Sequence, residues 1–122
     1  FSCLYGHWFP HDRSDSSYIR ALYNQVKGTI LAMKAIREIN PKARLIQTDD
    51  LGRAQSTEPL KYQADFENER RWLGWDFLCG KVNEQHPIFW YVKRHSDLTH
   101  EEIRWVIDNK CPPDMIGVNH YH

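Results

Sequence analysis

The sequence has little cysteine, no excess charge of either sign and no long apolar run. Three cysteines, at positions 3, 79 and 111, are odd in number and far apart. A disulfide framework is normally even and denser, so we expect reduced thiols in a cytoplasmic protein. No apolar run approaches the roughly 20 residues of a membrane-spanning helix, and no signal-peptide pattern opens the chain. We therefore expect no membrane partner.

The charge balance also excludes a class of partner. Sixteen basic residues face sixteen acidic ones, and the formal net charge is zero. Such a chain has no field to steer polyanions, so we expect no nucleic-acid role. The chain does contain aromatic residues, five tryptophans among them, and 122 residues suffice for one small domain with a core. An ordered globular piece is predicted.

The first half of the chain predicts a helix followed by a strand. Asp15, Ser16 and Ser17 can cap the helix, and Asn40-Pro41 ends it. Residues 43–48 then form a short predicted strand with Asp49 and Asp50 at its carboxyl end. The helix is predicted from apolar residues that fall within a narrow arc at 100° per residue: Ile19, Leu22, Tyr23, Val26, Ile30 and Met33. This order is typical of a parallel sheet flanked by helices.

The second half predicts three more helices and a final strand. Residues 57–80 form a helix with Gly74 as a possible break point, and residues 88–92 a brief one. Residues 99–102, Thr-His-Glu-Glu, are a capping box that starts the last helix. Residues 115–118 are an apolar run after Cys111-Pro112-Pro113, which is typical of a buried parallel strand.

Four side chains that can take part in binding or catalysis follow the last strand: Asn119, His120, Tyr121 and His122. In sheets of alternating strands and helices, ligands bind at the carboxyl ends of the strands. Side chains alternate along a strand, so Asn119 and Tyr121 share one side and the two histidines the other. A pocket is predicted here.

Residues 114–121, Asp-Met-Ile-Gly-Val-Asn-His-Tyr, also resemble the "D-F-I-G-x-N-Y-Y" strand of family 1 glycoside hydrolases, the retaining β-glucosidase type, with His120 in place of the first tyrosine. Residues 1–11 resemble the loop after that family's "N-E-P" acid/base motif, residues 24–41 its long following helix, and residues 69–80 the stretch before its sixth strand. The closest resemblance is to a divergent branch joined to a sugar-nucleotide-binding domain similar to dTDP-4-dehydrorhamnose reductase.

The resemblance implies an α/β fold, as a partial (β/α)8 barrel. Residues 1–122 would be one fragment, from the loop after strand four through strand six, because a complete barrel needs about 250 residues. The acid/base glutamate would precede Phe1 and the nucleophile would follow His122, so this chain alone is expected to be inactive. The intact protein would hydrolyse β-glycosides with two carboxylates and no cofactor. Its partners would be a carbohydrate or glycoside and the remainder of the barrel.

The resemblance also assigns roles to residues. Asn119 would line the sugar site, and Tyr121 would donate a hydrogen bond that orients the nucleophilic carboxylate. Independently of the resemblance, Asp49 and Asp50 follow the first strand and could bind sugar hydroxyls or act as a carboxylate pair. Because adjacent strand residues point to opposite faces, Asp49 is the pocket candidate and Asp50 a loop cap. Trp8 is a candidate for stacking on a sugar ring, as is Trp90, although either can instead pack in a core. Residues 1–14 are interpreted either as a functional loop or as a plug for one end of the core.

Three alternatives from other classes remain open: a non-catalytic sugar-binding module of a deoxysugar reductase, a metal-dependent hydrolase, and an interaction domain without a small-molecule site. The hypothesis of a metal site rests on two histidine pairs, His7-x3-His11 and His120-x-His122. No third or fourth ligand has a fitting spacing, so no metal is predicted. Glutamates 67 and 69 are interpreted as solvated groups or as salt-bridge partners of arginines 70 and 71.

Overall fold

The computed structural model describes residues 2–119. Within this range one long helix precedes the first strand, and three helices lie between the first strand and the second. The elements are α1 (Asp15–Ile39), β1 (Ile46–Asp49), a 3-10 turn (Glu58–Leu60), α2 (Lys61–Leu78), α3 (Phe89–His95), α4 (His100–Asp108) and β2 (Met115–Val118). The predicted α/β class is confirmed at this level: a helix-rich chain with a parallel pair of strands.

Helix α1 forms where its apolar stripe predicts, but its cap differs from the prediction. Ser14, in extended conformation, is the N-cap, and its Oγ accepts a hydrogen bond from Ser17 N at 3.0 Å. The predicted cap at residues 15–17 is therefore wrong. These residues already belong to the first turn of the helix, whereas a capping residue must precede that turn and have non-helical backbone angles. The buried face is the predicted one: Ile19, Tyr23, Val26, Ile30 and Met33.

The core lies between α1 and the later helices. Leu73 and Phe77 of α2, Tyr91 and Val92 of α3, and Ile103 and Val106 of α4 pack in one cluster with the α1 face. Gly74 does not break α2, which is continuous from Lys61 to Leu78. A Cβ at Gly74 would lie 3.2 Å from Leu22 Cδ1, so the glycine allows α1 and α2 to approach closely. This contact explains a residue that otherwise weakens a helix interior.

Helix α4 has the predicted capping box, and a charged group of α1 reinforces it. Thr99 Oγ1 accepts from Glu102 N at 3.1 Å, and Glu102 Oε2 accepts from Thr99 N at 2.9 Å. Arg20 donates to Glu102 Oε1 at 2.6 Å and to Asp97 Oδ1 at 2.8 Å. These bonds join the beginnings of α1 and α4.

This arrangement predicts a pH dependence of stability. The hydrogen bond from Arg20, and then that from Thr99 N, lower the pKa of Glu102 from its ordinary 4.5 to about 2. Because the folded pKa is the lower one, the carboxylate stabilises the fold above pH 4.5 and this contribution is lost as pH falls toward 2. The urea midpoint of the wild type should fall over this range more steeply than that of Glu102→Gln. Glu101→Gln, which changes a neighbouring exposed carboxylate, should keep the wild-type slope; equal slopes for all three proteins would contradict the assignment.

The two strands pair in parallel, although the last residue of β1, Asp49, and the first residue of β2, Met115, are 66 positions apart in the sequence. The register aligns Ile46 with Met115 and Asp49 with Val118. Asp114 determines where pairing starts: its Oδ2 accepts from Leu45 N at 2.7 Å and from Arg37 Nη2 at 2.9 Å. The carboxyl ends of both strands consequently lie at the same edge.

Candidate functional site

The strand-end site contains two of the predicted residues. Asp49 is the last residue of β1, and Asn119 directly follows β2. Asn119 N donates to Asp49 O at 2.9 Å, and Asp49 Oδ1 accepts from Asp50 N at 2.8 Å. Parallel pairing thus places Asp49 and Asn119 at the same carboxyl edge through a backbone contact. Because the register aligns Asp49 with Val118, the side chains of Asp49 and Asn119 lie on opposite faces if β2 continues extended. The other residues predicted at this edge, His120, Tyr121 and His122, lie outside the residues that the structure describes.

Trp8 lies in the first loop, which is folded by its own hydrogen bonds. His11 N donates to Trp8 O at 2.7 Å, and Ser14 N donates to Cys3 O at 3.0 Å, at the start of α1. The Trp8 side chain is 64% exposed and that of Phe9 is 84% exposed. Neither ring is buried in the core. For these two residues, the interpretation of the loop as a plug for one end of the core is therefore excluded.

A polar cluster joins the first loop to α2. Its charged residues do not follow a strand, so the search for pocket residues at strand ends did not predict them. Arg70, whose side chain is only 11% exposed, donates to Glu67 Oε2 at 2.5 Å and to Tyr5 Oη at 3.1 Å. Its Nη1 lies 4.0 Å from Asp15 Oδ1, which accepts from Tyr91 Oη at 2.6 Å. The predicted pairing of Glu67 with Arg70 is confirmed.

Tyr18 of α1 also bonds to α2 beside this cluster. The phenol donates to Arg70 O at 3.4 Å. Burial raises the pKa of Tyr18 to about 12, and the negative charge of Asp49 adds to the rise, while the Arg70 guanidinium opposes it. Burial, and then the hydrogen bond to Asp15, also raise the pKa of Tyr91. Both phenols are therefore protonated hydrogen-bond donors at neutral pH, and neither is a base.

One sequence signal points to this cluster. Arg70 falls on the apolar stripe of α2 that contains Tyr62, Phe66, Leu73 and Phe77, and a charge in such a position must find partners when the helix packs. Two of its partners come from distant segments, 55 residues away for Asp15 and 65 for Tyr5, whereas Glu67 is on the same helix. Their identity is decided by the packing of α1 and the first loop against α2.

The histidines of the first loop make local contacts. His11 has a positive φ of 62°, and its Nδ1 is 3.1 Å from Gly6 O. Within residues 2–119 no three histidine, cysteine, aspartate or glutamate side chains are grouped closely enough to hold a metal ion. The second pair of the metal hypothesis, His120 and His122, lies outside this range.

Comparisons with known proteins identify no relative. No protein-family model, no curated protein and no solved structure matches the chain. In the part of the chain that the structure describes, no helix is long and apolar enough to cross a membrane.

Proposed function

We propose that this chain is the central segment of a family 1 glycosidase-like (β/α)8 barrel, and that the intact protein hydrolyses β-glycosides with retention. The observation that carries the proposal is the parallel pairing of β1 and β2, which puts Asp49 and Asn119 at one carboxyl edge. In barrels of this kind the ligand binds at that edge. The helices α2, α3 and α4 between the two strands match the crossover of a βαβ unit.

The exposed surface of the sheet supports a larger parent fold. Ile46 is 54% exposed on one face of the pair, while Ile116 and Val118 are 62% and 59% exposed on the other. Parallel sheets normally have both faces covered, and their strands are apolar for that reason. Additional strands and helices of a barrel would cover these three side chains, which makes the remainder of the barrel the partner that we propose for them.

The proposed roles follow the chemistry of each side chain. Asp49 accepts hydrogen bonds from sugar hydroxyls, and the Asn119 amide both donates to and accepts from them. Tyr121 donates one directed hydrogen bond to the nucleophilic carboxylate, and the exposed Trp8 ring stacks on the sugar. The two catalytic glutamates come from outside residues 1–122, so the chain positions substrate and nucleophile without performing the displacement.

Two measurements test the proposal. The codons before Phe1 should encode Asn-Glu-Pro. The purified 122-residue chain should release no 4-nitrophenol from 4-nitrophenyl β-D-glucoside, whereas the intact protein should, because retention needs two carboxyl groups about 5 Å apart. Replacing the glutamate of Asn-Glu-Pro by glutamine in the intact protein should abolish release.

Each contrary outcome has a distinct meaning. Turnover by the isolated chain that is lost in Asp49→Asn would overturn the assignment of catalysis to glutamates outside the chain. An intact protein that binds glucosides without turning them over, with both glutamates present, would instead be a sugar-binding module. One zinc ion per chain, lost on His120→Ala, would support the metal-dependent hydrolase.

A further inference from the structure

A second candidate site lies on the helical side of the molecule. It is a groove of about 1130 Å³ between α2, the loop that follows β1, and the segment that leads into α3. None of Trp8, Asp49 and Asn119 lines this groove. Its aromatic lining comes from Tyr62, Phe66 and Trp72 of α2 and from Trp90 of α3. We refer to it as the aromatic groove.

Two rings of the aromatic groove, Trp72 and Trp90, are partly exposed and are held in place by contacts with neighbouring rings. Trp90 is 54% exposed, and its ring centroid lies 5.9 Å from that of Phe66 and 6.1 Å from that of the buried Tyr91. Trp72 is 41% exposed and contacts the buried Trp75 edge-on at 6.0 Å. Rings held in this way are already ordered before a ligand arrives, which lowers the entropic cost of binding.

The polar groups of the aromatic groove are available for a ligand. Within residues 2–119 the half-buried Glu69 forms no hydrogen bond or ion pair, although it lies one turn from both Phe66 and Trp72 on α2. Among the described residues, the Gln63 amide also has no hydrogen-bond partner. By contrast, Asn68 is occupied, because its Oδ1 accepts from Ala54 N at 2.8 Å and its Nδ2 donates to Ala54 O at 3.1 Å. That pair of bonds attaches the loop wall to α2.

The charge of the lining restricts the class of ligand. The ionisable side chains are Arg53, Asp65 and Glu69, and with the Lys61 ion pair at Asp65 included their charges balance, so the groove has no excess positive charge to attract a phosphate-rich ligand. Lys61 pairs with Asp65, and this leaves the Glu69 carboxylate as the free acceptor. An apolar ring face with hydroxyls around its rim suits such a site, since aromatic faces take up the C–H surface and the carboxylate and amide bond the hydroxyls.

We propose that the aromatic groove binds a neutral oligosaccharide. Tyr62 and Trp72 are ten residues apart on α2, about 15 Å along the helix axis, which is longer than one sugar ring. A quaternary ammonium ligand would require rings that enclose it, whereas Phe66 and Trp90 are tilted by only 34° and leave the groove open along its length. The groove shares the loop that follows β1, but Asp49, Asn119 and Trp8 do not line it, so binding here is tested independently of the glycosidase proposal.

The test uses the 122-residue chain and four neutral probes: cellotetraose, xylotetraose, mannotetraose and maltotetraose. Isothermal titration should give saturable binding of at least one probe, and Trp90→Ala and Tyr62→Ala should each weaken it about tenfold, the effect of losing one stacking ring. Glu69→Gln should weaken it several-fold. Leu60→Ala removes an exposed apolar side chain that precedes α2 and lies outside the groove, and it should bind as the wild type does.

Several results would overturn the proposal. These are the absence of saturable binding for all four probes, affinity equal to wild type in Tyr62→Ala, or displacement of the bound sugar by millimolar tetramethylammonium chloride. Circular dichroism of each variant verifies folding. Tyr62 is 73% exposed, so Tyr62→Ala keeps the test valid even if Trp90→Ala perturbs the contact with Phe66.

Discussion

Replacing Arg70 by leucine is expected to lower the free energy of unfolding by about 3 kcal/mol, at the low end of the range for breaking a buried ion pair. The Arg70 side chain is only 11% exposed, and its guanidinium donates to both Glu67 and Tyr5. Leucine retains apolar packing but leaves the Glu67 carboxylate without its counter-charge. The loss stays at the low end because Glu67 and Asp15 are partly exposed and can be rehydrated.

Urea unfolding followed by circular dichroism at pH 7 measures this loss. The matched control is Arg71→Leu, the adjacent residue on α2, whose guanidinium forms no ion pair within residues 2–119; its change should stay within about 0.5 kcal/mol. Arg70→Lys should fall between the two, since an ammonium keeps the charge but lacks the planar fork that reaches two partners. Equal losses at positions 70 and 71 would show that the cluster contributes nothing beyond a surface charge.

Under the proposed glycosidase function, replacing Tyr121 by phenylalanine in the intact protein is expected to lower turnover of aryl β-glucosides tenfold to a hundredfold. If Tyr121 orients the nucleophilic carboxylate, the variant loses one hydrogen bond to a charged group, about 1.5 to 3 kcal/mol. A loss of that size in the transition state corresponds to about one to two powers of ten in rate. Thermal stability should stay close to wild type because the ring volume is nearly unchanged.

His120→Tyr is the matched control for this prediction. The substitution restores the tyrosine found at that position in the resembled motif. In an extended strand, position 120 lies on the opposite side from position 121. The turnover of this variant should remain close to wild type. A Tyr121→Phe enzyme with unaltered turnover, or a His120→Tyr enzyme that is the more impaired at equal folding, would mean that the pocket faces the other side of the strand.

Local patterns predicted the helices and the bounds of the last strand well, but the predicted burial of that strand is wrong: Ile116 and Val118 are 62% and 59% exposed, because none of the described residues covers that face of the two-stranded sheet. The capping box at Thr99 and Glu102 satisfies backbone groups within one turn, so its outcome depends on neighbouring residues alone. The boundaries of β1 were less accurate: the predicted strand is 43–48, and the observed one is Ile46–Asp49. Arg37 Nε donates to Ala43 O and Asp114 accepts from Leu45 N, so these backbone groups are bonded to side chains rather than to a partner strand.

The sequence by itself determined the elements of this protein, the side chains that follow each strand and the residues that face the core, because these depend on short-range periodicity and capping. Tertiary structure alone decided which distant groups meet. It paired β1 with β2 across more than 60 residues, surrounded Arg70 with Tyr5, Glu67 and Asp15, and opened the aromatic groove beside α2. Such contacts depend on how whole helices pack, and a pattern that spans one helix or one strand contains no information on which other surface will cover it.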